Sequence, residues 1–269
     1  MVTVIEPDLQ WNNMGHRDTP KRRVKTADTI FDVVESLEEL DGGTITELSD
    51  SLDLAASTVH NHLTTLEEKG YVDRQGNEFR IGLKFLYYGM YAKNSRRVAR
   101  VAQPVLDELA EETGEAAWLV VEEHGIGVYL NNALGEKAIK TYGSIGTRTH
   151  LNAIAAGKAI LAHLPEERVD QILDQHGLPA YTENTPTDRD ELLAELEEIR
   201  EGGFALNRGG RIRGGRAVAC AVIVDDEVQG AVGISGPEHR MRGDRFTVEL
   251  PNKVKGAKNI IELELSSDQ

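Results

Sequence analysis

Cysteine is almost absent: the chain of 269 residues has one, Cys220. No intrachain disulfide can form, and a reducing cytoplasm is the expected setting. Long apolar runs are missing too. The longest, Ala217 to Val224, is too short to cross a bilayer, and no stretch reads as a signal peptide. Aromatic residues are scarce at 5%, and cations are outnumbered, with 30 Lys and Arg against 45 Asp and Glu, a net charge of −15. Acidity with few aromatics is also the composition of disordered chains. The regular apolar patterning described below excludes that class. The acid is unevenly spread: residues 21–100 hold 12 Lys/Arg against 13 Asp/Glu, whereas residues 101–269 hold 17 against 29. A folded chain this acidic is expected to stay soluble at high salt.

What is present is organised around Thr44 to Ile81. Leu48 and Leu52 mark the inner face of a short helix, and Val59, Leu63 and Leu66 that of a second. Thr44-Ile45-Thr46-Glu47 suits a capping box. Asp53 sits at the turn, where a left-handed backbone is tolerated, and Gly70 is placed as a helix C-cap. Tyr71–Asp73 and Glu78–Ile81 flank Arg74-Gln75-Gly76-Asn77, a hairpin signal. This is a winged helix-turn-helix, a device for setting one helix in a DNA major groove. Ala55 and Ala56 permit close approach, and Ser57, Thr58, His60 and Asn61 can reach base edges or phosphates. Asn61 suits the N6 and N7 atoms of adenine. Arg74 and Arg80 on the hairpin are candidate DNA contacts. A solvated polar helix face is the alternative. Salt weakens phosphate attraction steeply, so a halophilic reader needs dimerisation or salt-tolerant contacts.

Residues 1–20 read as a loose polar tail. Lys21, Arg22, Arg23 and Lys25 follow, either as phosphate contacts or as a solvated basic cluster. Thr26 is placed to cap a helix reaching about Leu40, with Ile30, Val33, Val34 and Leu37 on one face. Residues 82–112 are helical, broken near Asn94-Ser95 and at Pro104, with Leu83, Leu86, Met90 and Tyr91 forming an apolar face. This is a linker helix, a dimer-forming helix, or both. Dimerisation is preferred, because one winged unit buries little DNA and two-fold pairing matches palindromic half-sites. Residues 113–269 alternate differently. Strands are expected at Ala116–Glu123, Gly127–Leu130, Lys137–Tyr142, Phe204–Asn207, Ala217–Val224 and Val228–Ser235. Helices are expected at Ile154–Leu164, Glu166–Gln175, Asp188–Glu201 and about Val248–Leu265, with 143–150 as a loop. The pattern predicts an α+β domain, an antiparallel sheet covered by helices.

Four segments, LAASTVHNHLTTLEEKGYV at 54–72, NAIAAGKAILAHLP at 152–165, GGFALN at 202–207 and GISGP at 233–237, stand in one order and spacing. Together the chain resembles the IclR family of transcription regulators, particularly acidic members of haloarchaeal type. The resemblance implies an N-terminal winged helix-turn-helix (21–81), a linker helix (82–112) and a C-terminal GAF-like effector-binding domain (113–269). It implies homodimers or dimers of dimers, double-stranded DNA with a palindromic operator as partner, a small effector of carbon catabolism, and no cofactor. The family's anion cradle maps to Asn152, Ala155, Ala156 and Gly157. The physics agrees, since a helix start with small residues offers unpaired N–H groups. Ser235 matches an effector-binding serine, and Asn207 stands where an acidic residue often lines the pocket. The chain departs from the family in several places. Asn152 replaces a histidine, Gly233 stands where some members have a second serine, and Ala217 where some have a cysteine. Arg208 to Arg216 (RGGRIRGGR) replaces an acidic run. The four arginines of that loop, Arg208, Arg211, Arg213 and Arg216, stand beside the inferred pocket and favour an anionic ligand, phosphorylated or multiply carboxylated, with Arg211 and Arg213 as the candidate contacts. A flexible surface loop and an RGG-type RNA contact are the other readings.

No catalytic constellation emerges. His150, His163 and His176 lack the spacing of a metal set. Gly157-Lys158 lacks the flanks of a phosphate-binding loop. Cys220 lies in an apolar strand as a small hydrophobe. Asp188, Asp190 and Glu191 suit an exposed helix start. The competing classes are an architectural DNA-binding protein, which leaves the C-terminal half without a task, and an enzyme with an unrecognised site in the C-terminal domain.

Overall fold

The structure, a computed structural model, describes residues 24–139 and 143–267. These fall into two compact units, one closing at Ser95 and the other running from Arg96. The stretch expected as a linker, 82–112, is therefore divided between them. The tail 1–20 and Lys21, Arg22 and Arg23 lie outside the described residues.

In the first unit, helices α1 (Lys25–Glu39), α2 (Ile45–Leu52) and α3 (Ala56–Glu68) surround a core of Val33, Leu37, Leu48, Val59, Leu63, Leu66, Val72 and Phe79. Both halves of the Thr44–Glu47 capping box are made, and Asp53 adopts φ 52°. Gly70 closes α3: its N–H donates to Glu67 O, and that of Tyr71 to Leu66 O, the paired bonds of a Schellman ending. Thr26, expected as a cap, lies inside α1. The position before the helix is Val24, which makes no side-chain cap. The hairpin strands β2 (Val72–Gln75) and β3 (Glu78–Ile81) leave a turn of Gly76 and Asn77, shorter than expected. A two-residue strand β1 (Gly43–Thr44) pairs with β3 and completes a three-stranded wing. Helix α4 (Lys84–Ser95) buries none of its residues. It is tied to the wing by Tyr71, whose ring meets Phe85 at 5.1 Å and Tyr88 at 6.0 Å.

In the second unit, α5 (Arg97–Thr113) runs unbroken through Pro104. The sequence predicts a break there. The proline is exposed, while Ala102, Val105 and Leu106 on the opposite face are buried and hold the helix on both sides of it. The sheet comprises β4 (Ala116–Glu123), β5 (Ile126–Leu134), β6 (Arg148–His150), β7 (Ala205–Arg208), β8 (Gly215–Val224) and β9 (Glu227–Pro237), in the order β6-β5-β4-β9-β8-β7. Every pairing is antiparallel. Alternate residues face opposite sides. Ala117, Leu119, Val121, Val218, Cys220 and Val232 pack with α5 and α9 (Leu250–Ser266). Val120, Ala205, Ala219, Ala221 and Ala231 pack with α6 (Ala155–His163), α7 (Glu166–His176) and α8 (Arg189–Gly202). Asp188 caps α8 through Glu191 N–H.

Three expectations need correcting. No strand forms at 137–139, and 140–142 lie outside the described residues. The presumed loop before α6 ends in β6, paired to β5, because Arg148 and Thr149 are buried there and their backbone needs partners. The last helix is preceded by a π-helical turn, Arg245–Glu249.

Candidate functional site

Two surfaces concentrate the candidate residues. The first is the outer face of α3. Ala55, Ala56, Ser57, His60 and Asn61 are exposed and Thr58 is half-buried, while Val59, Leu63 and Leu66 point into the core. The stripe fixes the helix's rotation, so these polar groups share one outward face. Arg74 and Arg80 are exposed on the wing. The Arg74 guanidinium lies over the Phe79 ring at 5.2 Å and donates to Gly76 O at 2.9 Å. Arg80 faces Glu78 at 3.5 Å.

The second surface is a cavity of about 260 Å³ between the sheet and the start of α6. Its floor is Ala217, Val218, Ala219 and Gly233. A Cβ on Gly233 would sit 2.5 Å from Val218 O, so the backbone here leaves no room for a second serine. Trp118 and Tyr129 stand edge to face with centroids 5.1 Å apart and line one wall with Val120. Ser235 Oγ accepts from Trp118 Nε1 at 2.9 Å. Ala155 and Ala156 bring in the first turn of α6, which no side chain caps. The first-turn N–H groups have no acceptor within the helix. α6 is seated by Gly157, where a Cβ would lie 2.2 Å from Leu151 O. It is also held by buried Lys158, which bonds Glu195 of α8 and donates to Leu206 O of β7 at 2.9 Å. Burial lowers the Lys158 ammonium pKa, with Glu195 opposing the shift.

Of the residues singled out from sequence, Ala155, Ala156, Asn207, Arg211 and Ser235 line the cavity; Asn152, Gly157 and Arg213 do not. Asn152 is buried and donates to Pro186 O at 2.9 Å. It fastens the segment before α8. Gly157 acts through close packing. Arg213 is exposed and pairs with Glu183 at 2.9 Å. Asn207 reaches the wall, but its amide holds backbone: Nδ2 donates to Ala153 O, and Oδ1 accepts from Gly210 N. The arginine loop is tied down at Gly209 O and Gly210 O by Thr182 and Thr185. Arg211 and Arg216 face the cavity. The Arg211 guanidinium lies 4.2 Å from the Tyr181 ring centroid, and Arg216 donates to Met241 O at 2.8 Å.

Sequence reasoning missed Trp118, Tyr129, Thr147 and Thr149; of the four arginines it placed beside the pocket, Arg211 and Arg216 line the cavity. The alternation of β4 was available as a signal, since Trp118 and Val120 share the face opposite Leu119. His150 turns away from the cavity wall to Tyr181, its Nδ1 2.6 Å from the hydroxyl. Burial first, then His176, Arg211 and Arg148, bring its pKa down to about 4. Among the described residues, no three His, Cys, Asp or Glu side chains assemble as a metal-binding group, and no helix is long and apolar enough to cross a membrane.

Comparison with known proteins identifies the family. The family profile "Bacterial transcriptional regulator IclR C-terminal" matches residues 90–262, and "IclR helix-turn-helix domain" matches 26–76. The chain is 30% identical over 251 residues to the probable HTH-type transcriptional regulator ArcR of Halobacterium salinarum, covering 91% of this chain and 95% of that protein. It is 30% identical over 234 residues to the transcriptional repressor IclR of Escherichia coli K12, covering 85% of each. The crystal structure of the Thermotoga maritima IclR superposes with a TM-score of 0.78 at 25% identity, over 90% of this chain and 99% of that one.

Proposed function

The chain belongs to the IclR family of DNA-binding transcription regulators, and from that premise we propose that it is a dimeric operator reader set by a small anionic metabolite. In this reading residues 21–81 read DNA, 82–112 join and pair the protomers, and 113–269 bind the effector. Ser57, Thr58, His60 and Asn61 address base edges and nearby phosphates. Arg74 and Arg80 on the wing, with Lys21, Arg22 and Arg23, address the backbone. Pairing through α4 is supported by its exposed Leu86, Tyr87, Met90 and Tyr91 and by Leu83 just before it, since a contiguous exposed apolar face marks an interaction surface. Two readers related by a two-fold match a palindromic operator.

The observation that carries the effector reading is the cavity beneath the uncapped start of α6, with an apolar floor and the Arg211 and Arg216 side chains on its wall. A helix start and the Arg211 guanidinium favour a carboxylate or phosphate, whereas Arg216 is already paired with Glu238 at 2.5 Å; the apolar remainder favours a compact carbon skeleton, as expected of a carbon-catabolic intermediate. The acid surplus of residues 101–269 fits a protein working at high salt. Mapping bound genomic sites with and without candidate carbon sources tests the whole reading. Discrete sites whose occupancy changes with one carbon source are expected. Sites that respond to none would leave a DNA reader without an effector.

A further inference from the structure

Among the described residues that line the cavity, one buried side-chain oxygen has no partner in the protein. Thr149 of β6 is 1% exposed, and its Oγ1 is buried without a hydrogen-bond partner among the protein's groups. Strand register places it. Thr149 pairs with Gly127 of β5, two residues before Tyr129, and Tyr129 pairs with Val120 of β4. Side chains two apart share a face, so Thr149 lies on the Tyr129 and Val120 side, and all three line the cavity. A second hydroxyl there is half engaged. Ser235 Oγ accepts the Trp118 N–H, which leaves its proton to donate.

A buried hydroxyl left unpaired is costly, so positions of this kind are normally satisfied by what fills the space. The space is limited. A cavity of about 150 Å³ takes up benzene, and drug-sized ligands occupy about 300–1,000 Å³. At about 260 Å³, this one suits a single ring or an equally compact chain with two polar ends. We propose that Thr149 is a specificity-determining residue that reads a second oxygen, hydroxyl or carbonyl, on a compact carboxylate. The assignment rests on the effector reading of this cavity. A ligand lacking that oxygen leaves the Thr149 hydroxyl buried and unpaired, and sites built to bond a substrate oxygen reject the deoxy analogue strongly.

The test is calorimetric titration and thermal shift on the full chain with two probe series: benzoate with its three monohydroxy isomers, and butanoate with 2-, 3- and 4-hydroxybutanoate. At least one oxygenated member is expected to bind about tenfold or more tightly than its parent. Thr149→Val should abolish that preference without weakening the parent acid, and Thr149→Ser should retain it. Ligand-free Thr149→Val should melt no lower than the native chain, because it removes an unpaired buried hydroxyl. Preference surviving Thr149→Val, or a marked fall in its ligand-free melting temperature, would overturn the Thr149 assignment alone. Failure of every probe to bind the native chain would overturn the effector reading and this inference with it.

Discussion

Gly157→Ala sets two opposed effects against each other. In an ordinary helix interior alanine is favoured over glycine by about 0.8–1.0 kcal/mol. Here the added Cβ would lie 2.2 Å from Leu151 O, 2.5 Å from its Cα and 2.7 Å from its carbonyl carbon, where 3.4–4 Å is ordinary contact. All three atoms are backbone, in the 3₁₀ turn Leu151–Ala153, so no rotamer change relieves the overlap. α6 must lift by roughly an ångström or the turn must open, and overpacking of this kind costs about 1–3 kcal/mol, sometimes more. The clash wins. With the helical gain subtracted from a cost in the upper part of that range, a net loss of about 1–2 kcal/mol is expected, and at about 2–4 °C per kcal/mol for a unit this size the melting temperature falls by several degrees. Urea and thermal unfolding monitored by circular dichroism would measure it. Because α6 begins at the cavity, affinity for an anionic ligand should fall as well. A Gly157→Ala protein as stable as the native chain, or more so, would refute the close seating of α6 on the turn.

Other consequences are as specific. Glu115 is fully buried and held by Arg240 through contacts of 2.9 and 2.7 Å, with Arg245 at 3.7 Å. Arg240→Ala strands that carboxylate and should cost about 3 kcal/mol in urea unfolding, the lower end for breaking a buried pair because Arg245 remains. His150 titrates at about 4 in the fold against its ordinary 6.5. The unfolded chain therefore takes up the proton first, and stability drawn from His150 is complete above pH 6.5 and declines as pH falls toward 4. Comparing the pH dependence of unfolding with that of His150→Gln should show a shallower acid limb in the variant. Arg211→Ala should weaken binding of an anionic ligand about tenfold or more, whereas Arg213→Ala, which loses only an exposed pair with Glu183, should leave it unchanged in the same titration.

Local backbone chemistry was legible wherever it involved residues close in sequence. The Thr44–Glu47 box, the left-handed Asp53 and the Gly70 ending each need only a few neighbours, and all three form. Thr26 met the compositional rule for a cap, yet the chain approaches α1 through Val24; where a helix begins depends on the path of the preceding chain. Pro104 was misread for a tertiary reason, since the packing of Ala102, Val105 and Leu106 outweighs the lost backbone bond. The cavity was half legible. Ala155, Ala156, Asn207, Arg211 and Ser235 lie in or beside recognisable motifs. Trp118, Tyr129 and Thr149 come together only through the register of β4, β5 and β6, and no local pattern marks β6 as a strand. Asn152 was assigned to the cradle through the resemblance, but its amide is turned to Pro186.

The central claim is that α3 delivers sequence-specific DNA recognition. Fluorescence anisotropy with the full chain tests it most directly, titrating a duplex recovered by genomic mapping and a shuffled duplex of equal length at rising salt. Preference for the mapped duplex by about a thousandfold or more is expected at physiological salt. It should fall in Asn61→Ala, which removes the exposed amide proposed to read a base. Equal affinity for both duplexes at every salt concentration would contradict it.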